Sequence, residues 1–313
     1  MNKIIAFFKL ARWPNLVFFA LTQWMFSFCI ITPVFSERNI TPNLHGYPLA
    51  LIIVSYILAA AGGYIINDYF DLNIDLVNKP DKVMIDKFIP RRLAIIFHIL
   101  FCLLSIAFGF YVDAVANTHF MGIALALYNL LLFVYSLSLK KRMLIGNVLI
   151  AFLLAWVIAI ISIAESNQFI HAFIHPIVNT QRLLRYTILY AGFAFIINLI
   201  REVVKDMEDI EGDRHYGCNT MPISWGINAT KVFVAVWLVV LTAILTLLQF
   251  YALQLRWWWF SLYCIVALIV PLISIFKKLA IAQTPKEYHR ISSLIKLVMF
   301  TGILSMFFFR VYG

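Results

Sequence analysis

Residues 48–75 read PLALIIVSYILAAAGGYIINDYFDLNID. The first twenty residues of this stretch, 48–67, are apolar and long enough to cross the roughly 30 Å hydrocarbon core of a membrane as one helix. Asp68, Asp71 and Asp75 follow directly. The stretch therefore predicts a transmembrane helix that ends in a cluster of carboxylates.

The composition of the whole chain points the same way. It has 313 residues, of which 63% are hydrophobic and 13% are charged. Soluble domains are about half apolar and about one quarter charged. A soluble fold of this length could not bury so many Phe, Leu and Ile side chains, and a disordered chain or a secreted disulfide scaffold is equally excluded. The class that remains is an integral membrane protein with little mass outside the bilayer.

Nine apolar runs are long enough to span a membrane, at about 20 residues each. They are residues 14–35, 48–67, 93–112, 119–139, 143–164, 184–202, 229–250, 257–276 and 291–311. Backbone polar groups in lipid must be satisfied internally, so these runs are predicted to be helices. The prediction is an all-α polytopic membrane protein with nine transmembrane helices in a single domain, residues 1–313.

The distribution of basic residues predicts the orientation. Nine spans place 20 of the 25 Lys and Arg on the side of the N-terminus. Basic loops are retained in the cytoplasm, so we expect a multi-pass protein of the inner or plasma membrane with its N-terminus cytoplasmic and its C-terminus outside. The same bias explains the net charge of +10, and no nucleic-acid partner is expected because no basic run is interleaved with aromatic residues.

Eleven of the 15 acidic residues lie in two short segments, each of which begins where a predicted span ends. Each segment carries three aspartates at positions i, i+3 and i+7. They are Asp68, Asp71 and Asp75 in the first segment and Asp206, Asp209 and Asp213 in the second. On a helix these positions share one face, where like charges repel unless a cation lies among them. Hard oxygen ligands suit Mg²⁺, which often binds one or two carboxylates together with substrate phosphates. The six aspartates are therefore predicted to be catalytic and metal-binding, around a diphosphate.

Three other interpretations of the acidic segments explain them less well. Solvated acidic helix ends would explain one triad but hardly two with the same spacing. A cation transporter would place ionisable residues near the middle of its spans, and these spans have no Asp or Glu there. A non-catalytic scaffold leaves the repeated spacing without a cause.

The two acidic segments resemble the motifs of the UbiA-type intramembrane prenyltransferases. Asn67 to Asp75 matches the pattern NDxxDxxxD, and Lys205 to Asp213 is similar to the second motif in its KDxxDxxGD form. The resemblance extends over essentially the whole chain. It implies a helical barrel with a lipid-open cavity that the motif loops cap. It also implies Mg²⁺-dependent transfer of a polyprenyl group from its diphosphate to an acceptor.

Substrate-binding residues are expected beside the aspartates, since basic and polar side chains there would stabilise the negative charge of the diphosphate. They are Asn67, Lys82, Tyr135, Lys140, Arg142, Arg201 and Lys205. The family often shows YxxxK after the fourth helix, whereas here Lys140 follows Tyr135 one residue later, so whether Lys140, Lys141 or Arg142 reaches phosphate stays open. Other basic residues near the motifs are candidates for the same role: Lys79, Arg91 and Arg92.

The acceptor is the least defined part of the prediction. Over its sequence as a whole, the chain resembles a bacterial branch grouped with geranylgeranylglycerol-phosphate geranylgeranyltransferases. This resemblance implies a geranylgeranyl-type donor and a prenylglycerol phosphate as the acceptor. An aromatic acceptor of the quinone-precursor type is the alternative. Polyprenyl diphosphate, an acceptor molecule and membrane lipids are the expected partners.

Overall fold

The fold is almost entirely helical within the part of the chain that the structure describes. This computed structural model describes residues 2–37, 39–165 and 180–312, except for the side chains of Lys82 and Thr180. Its helices are α1 Lys3–Leu10, α2 Trp13–Ser36, α3 Gly46–Asn78, α4 Arg91–Ala116, α5 Met121–Leu137, α6 Ile145–Ala164, α7 Thr180–Glu208, α8 Ile210–His215, α9 Met221–Ser224, α10 Ile227–Gln254, α11 Trp258–Ile281 and α12 Pro285–Tyr312.

The prediction of nine full-length spans is wrong by one in the described residues. Eight helices there are long and apolar enough to cross a membrane. The fourth predicted span, 119–139, corresponds to α5, which has 17 residues. At 1.5 Å per residue this helix is only about 25 Å long. Its predicted ends fall in the bend before Met121 and in the short 3₁₀ turn Leu139–Lys141, because apolar composition continues past the helix.

A ring of helices encloses the interior of the molecule. Six helices contact one another in a closed order: α2, α3, α5, α6, α7, α12 and back to α2. Helices α4, α10 and α11 pack on the outside of this ring, and many of their outward side chains are exposed. An exposed apolar surface of this kind suits contact with lipid. The multi-pass membrane protein with a central chamber that the sequence predicts is therefore confirmed.

The two acidic motifs lie on helical extensions of the spans. Helix α3 has 33 residues and is about 50 Å long, which exceeds the roughly 30 Å of hydrocarbon. The second and sixth predicted spans end at residues 67 and 202, but their helices continue beyond these points. Helix α3 continues to Asn78 and α7 to Glu208. Hydropathy marks where a helix leaves the membrane, and the polar turns beyond that point remain helical.

Contacts of Arg12 and Arg310 show at which end of the ring each terminal segment lies. Arg12, just before α2, lies 2.6 Å from Asp68 at the acidic end. Arg310, in the last turn of α12, lies 4.8 Å from the ring centre of Phe28, which is sixteen residues further along α2. At 1.5 Å per residue that separation is about 24 Å. The two terminal segments therefore lie toward opposite ends of the bundle.

Candidate active site

A cavity of about 600 Å³ lies inside the ring at its acidic end. All six predicted aspartates line it: Asp68, Asp71, Asp75, Asp206, Asp209 and Asp213. Its lining comes from the six ring helices together with the segments that precede α2 and follow α3, α5 and α7. The two motifs, about 130 residues apart in sequence, thus face one chamber.

The first motif is held by cations and an amide. Asp68 accepts a hydrogen bond from Nη2 of Arg12 at 2.6 Å, and the same guanidinium lies over the ring of Tyr64. Asp71 lies 2.6 Å from Nζ of Lys140 and accepts a 2.8 Å hydrogen bond from Nδ2 of Asn67. Charge-assisted contacts of this length are the strong ones, and they offset the repulsion along the helix face.

The second motif is interrupted where the sequence predicts one continuous helical face. Helix α7 ends at Glu208, and Asp209 lies in the joint before α8. Asp206 accepts a 2.7 Å hydrogen bond from Nδ2 of Asn147, while Asp209 lies 2.6 Å from Nζ of Lys79. The i, i+3, i+7 spacing is therefore the same in both motifs, but only the first keeps it on one helix.

The side chain of Asn78 joins the two motifs. Its Nδ2 donates to the carbonyl oxygen of Asp209 at 3.1 Å, and its Oδ1 accepts from the backbone N–H of Gly212 at 2.8 Å. A Cβ atom at position 212 would lie 2.5 Å from the Asn78 side chain. The absence of a Cβ at position 212 therefore permits the two hydrogen bonds that hold the end of α3 against α8.

The carboxylates of the two motifs influence one another's ionisation. Burial raises the pKa of Asp213 to about 7, and the negative charges of Asp209, Asp71 and Asp75 add to this effect. Burial also lowers the pKa of Lys140, although Asp71 opposes the shift. Burial alone would lower the pKa of Lys79, but the combined attraction of Asp209 and Glu208 outweighs burial, so this pKa is raised. A further cation near these carboxylates would relieve their mutual repulsion.

The carboxylate oxygens of the six aspartates suit a hard divalent cation, but several of these carboxylates form ion pairs. Among the described residues, no group of three or more His, Cys, Asp or Glu side chains is close enough to hold a metal. Lys79 and Lys140 instead pair with one carboxylate of each motif. The carboxylate oxygens are the ligand type that Mg²⁺ prefers. A metal held by both motifs would require the carboxylate side chains to draw closer together and these two ammonium groups to turn away from them.

The remaining predicted site residues divide into three groups. Those that line the cavity are Asn67, Tyr135, Lys140, Arg201 and Lys205. Arg142 is exposed and does not line the cavity, so of the three basic residues after Tyr135 it is Lys140 that contacts the first motif. The side chain of Lys82 lies outside the described residues. Of the other candidates, Lys79 lines the cavity, whereas Arg91 pairs with Asp86 at the surface and Arg92 is exposed.

Several cavity residues escaped the sequence analysis. In the sequence, Arg12 and Lys296 contribute only to the excess of basic residues that predicts the orientation. Asn147, which does not line the cavity but donates a hydrogen bond to Asp206, has a usable signal, since an amide at the start of an apolar run is unusual and marks a functional position. The others are brought to the cavity by helix packing, which no local pattern encodes.

Apolar side chains form the membrane side of the cavity. Tyr64, Tyr128, Leu132 and Leu153 line it below the motifs. A second, apolar cavity of about 100 Å³ continues between α2, α7 and α12. It begins at residues that both cavities share, among them Asn15, Arg201 and Lys296.

Comparison with known proteins gives the same picture. Residues 25–300 match the model of the UbiA prenyltransferase family. The digeranylgeranylglyceryl phosphate synthase of Methanothermobacter thermautotrophicus is 32% identical over 81% of this chain and 82% of its own length. That of Korarchaeum cryptofilum is 29% identical over 98% and 97%.

Solved structures share the fold. A structure from work on digeranylgeranylglyceryl phosphate synthase in membranes superposes with a TM-score of 0.62 at 20% identity, over 98% of this chain and 99% of the other. A UbiA homologue from Archaeoglobus fulgidus, bound to DMAPP and Mg²⁺, gives a TM-score of 0.58 at 16% identity, over 96% and 98%.

The helical ring, the acidic chamber and these matches define an integral membrane enzyme that transfers prenyl groups. The chain belongs to the UbiA prenyltransferase family. Family membership bears out the resemblance drawn from the two motifs and does not support the alternative of a cation transporter.

Proposed function

We propose that this enzyme transfers a geranylgeranyl-type group from its diphosphate to the free hydroxyl of a prenylglycerol phosphate, with Mg²⁺ as the metal. In the reaction the bond between C1 of the prenyl chain and the diphosphate oxygen breaks, and a bond from C1 to the acceptor oxygen forms. The hydroxyl proton leaves and inorganic diphosphate is released. The relatives named as digeranylgeranylglyceryl phosphate synthases favour this acceptor over the aromatic one.

The six aspartates are proposed to hold the metal and the donor's diphosphate. Two solved structures of a UbiA homologue contain Mg²⁺ together with DMAPP or GPP. Bound Mg²⁺ would neutralise the negative charge that grows on the departing diphosphate. In this chain the carboxylates of Asp68, Asp71 and Asp75 on α3, and of the second motif on α7 and α8, supply the oxygen ligands.

Lys79 and Lys140 are proposed to change partners when the donor binds. Each ammonium lies 2.6 Å from a motif carboxylate. When a metal takes over those carboxylates, the same ammonium groups can donate hydrogen bonds to phosphate oxygens a short distance away. Preorganised cations at a site of developing negative charge contribute strongly to catalysis. Asn67, which contacts Asp71 and lies 3.3 Å from Lys140, orients both groups.

The apolar side of the cavity is proposed to bind the prenyl chain and exclude water. Burial stabilises a hydrocarbon chain by about 0.8 kcal/mol per CH₂ group. The faces of Tyr64 and Tyr128 line this region, and aromatic faces stabilise positive charge such as that developing on C1. Water in the same place would compete with the acceptor for that carbon.

One observation carries the proposal: six carboxylates from two distant motifs, with two lysines among them, face one chamber whose other side is apolar. The test is to offer purified protein in lipid nanodiscs labelled geranylgeranyl diphosphate with either a prenylglycerol phosphate or an aromatic carboxylic acid. Mass spectrometry identifies the lipid product. We expect the diprenylglycerol phosphate, and formation of the prenylated aromatic acid alone would contradict the proposed acceptor.

We also propose that the acidic chamber opens toward the cytoplasm, with the N-terminal segment on that side and the C-terminal segment outside. The basic residues around the motifs and the placement of Arg12 and Arg310 near opposite ends of the bundle support this orientation. Reporter fusions at either terminus test it. An alkaline phosphatase fused after α12 should be active, and an inactive fusion there would contradict the orientation.

A further inference from the structure

Positive charge exceeds negative charge on the part of the chamber formed by α2, α7 and α12. Four cations lie there: Arg12, Arg201, Lys205 and Lys296. Glu202 pairs with Arg201 at 2.6 Å and with Lys205 at 3.2 Å, and Arg12 pairs with Asp68. Within the described residues, no carboxylate forms an ion pair with Lys296. Asp206 and Glu208 of α7 also line the chamber, so the four cations exceed the three carboxylates of these helices by one.

Two of these cations have hydrogen-bonding capacity to spare. The Nε–H of Arg201 is buried and has no hydrogen-bond partner in the described part of the chain. Nζ of Lys296 has only a long contact of 3.5 Å, to Oδ1 of Asn15. Arg201, Lys205 and Arg12 repel the ammonium group of Lys296, and Glu202 attracts it. Crowded cations with unused donors are costly unless an anion completes the cluster.

An apolar cavity begins at this cluster. Asn15, Arg201 and Lys296 line both the acidic chamber and the narrower cavity between α2, α7 and α12. Below them the narrower cavity is walled by Phe19, Phe193 and other apolar side chains. A cationic mouth above an apolar pocket is complementary to a lipid whose head carries a phosphate.

We propose that Lys296 and Arg201 bind the phosphate of the lipid acceptor, and that the start of its chain enters the apolar cavity between α2, α7 and α12. This assignment rests on the proposed function and adds the place where the acceptor is recognised. The unused donors of these two cations suit a phosphate monoester, which offers acceptor oxygens and carries about −1.5 to −2 at neutral pH. The donor's diphosphate is bound separately, by the aspartates with Lys79 and Lys140.

The test compares an acceptor that carries the phosphate with the same prenylglycerol lacking it. The variants are Lys296→Met, the conservative Lys296→Arg, and Lys286→Met as a control on an exposed lysine of the same helix. For each variant kcat and KM are measured for both acceptors and for geranylgeranyl diphosphate. Loss of one charge-assisted contact should reduce the preference of Lys296→Met for the phosphate acceptor by about 10- to 100-fold, mainly through KM.

The control and the conservative variant should keep the preference of the wild-type enzyme, and the KM for the donor should not change in any variant. Lys296 pairs with no described carboxylate, so its replacement leaves none of them uncompensated, and Lys296→Gln serves if the Met variant does not fold. An unchanged preference would overturn the assignment, as would a raised KM for the donor, which would place the diphosphate at this cluster. Failure of the proposed function is distinguishable, because then the wild-type enzyme transfers nothing to the lipid phosphate.

Discussion

The backbone N–H of Gly212 donates a 2.8 Å hydrogen bond to Oδ1 of Asn78. This contact ties the helix of the first aspartate motif to the segment of the second, and it sits at the rim of the chamber. The relative position of the two carboxylate groups therefore depends on a residue that bears no charge.

Replacing this glycine should separate the motifs. In Gly212→Ala the new Cβ would lie 2.5 Å from the end of the Asn78 side chain, so either this side chain turns away and loses its two hydrogen bonds or one of the two segments moves. Such overpacking costs about 1–3 kcal/mol. We expect weaker Mn²⁺ binding and lower activity, with a lower melting temperature. The control is Gly192→Ala, where a Cβ meets no atom within 4 Å. Equal Mn²⁺ affinity in the two variants would show that the contact does not set the distance between motifs.

Removal of the ammonium group beside Asp71 should impair donor binding and chemistry together. Lys140→Met leaves a largely buried carboxylate without its cation and takes one donor from the phosphate oxygens. Losses of this kind reduce rates by about 10²- to 10³-fold. Steady-state kinetics should show a fall in kcat/KM for the prenyl diphosphate, whereas Lys277→Met, at an exposed position, should behave as wild type. A wild-type kcat/KM in Lys140→Met would remove this lysine from the donor site.

Metal binding should weaken as the pH falls through neutrality. The pKa of Asp213 is raised to about 7, so this carboxyl is largely protonated below that pH and ionised above it. A metal binds the ionised form and must displace the proton at low pH. The apparent dissociation constant for Mn²⁺ should rise about tenfold from about pH 8 to about pH 6. Calorimetric titration at both values measures it. In Asp213→Asn the rise should be smaller, and an undiminished rise would assign the proton to another group.

How much of this site could be read from the sequence depends on the kind of information each residue carries. The membrane class and the helices follow from apolar runs, and the triads at Asp68 and Asp206 follow from a spacing that costs energy without a ligand. The break at Asp209 could not be predicted, because the same spacing on α3 is continuous. Lys296 reaches the chamber through packing of α12, which local sequence does not encode. The amide of Asn147 stands out in the sequence, but its contact with Asp206 depends on packing of α6.

The span count shows the same limit. Leu139 extends the apolar run two residues past Leu137, although Ser138 has already left α5, so hydropathy places the end of this span in the 3₁₀ turn. Conversely, the polar turns of α3 beyond Asn67 are helical although they leave the membrane. Composition reports the surroundings of a residue, whereas helix ends depend on backbone hydrogen bonds.

The central claim is that the two motifs act together on a metal-bound diphosphate. The most direct measurement is release of inorganic diphosphate from geranylgeranyl diphosphate and acceptor by wild type, Asp71→Asn and Asp209→Asn, each with Mg²⁺ and with EDTA. The account predicts release by the wild type only with Mg²⁺ and none by either variant, although both variants are folded and membrane-inserted. Full release in EDTA, or by either variant, would contradict it.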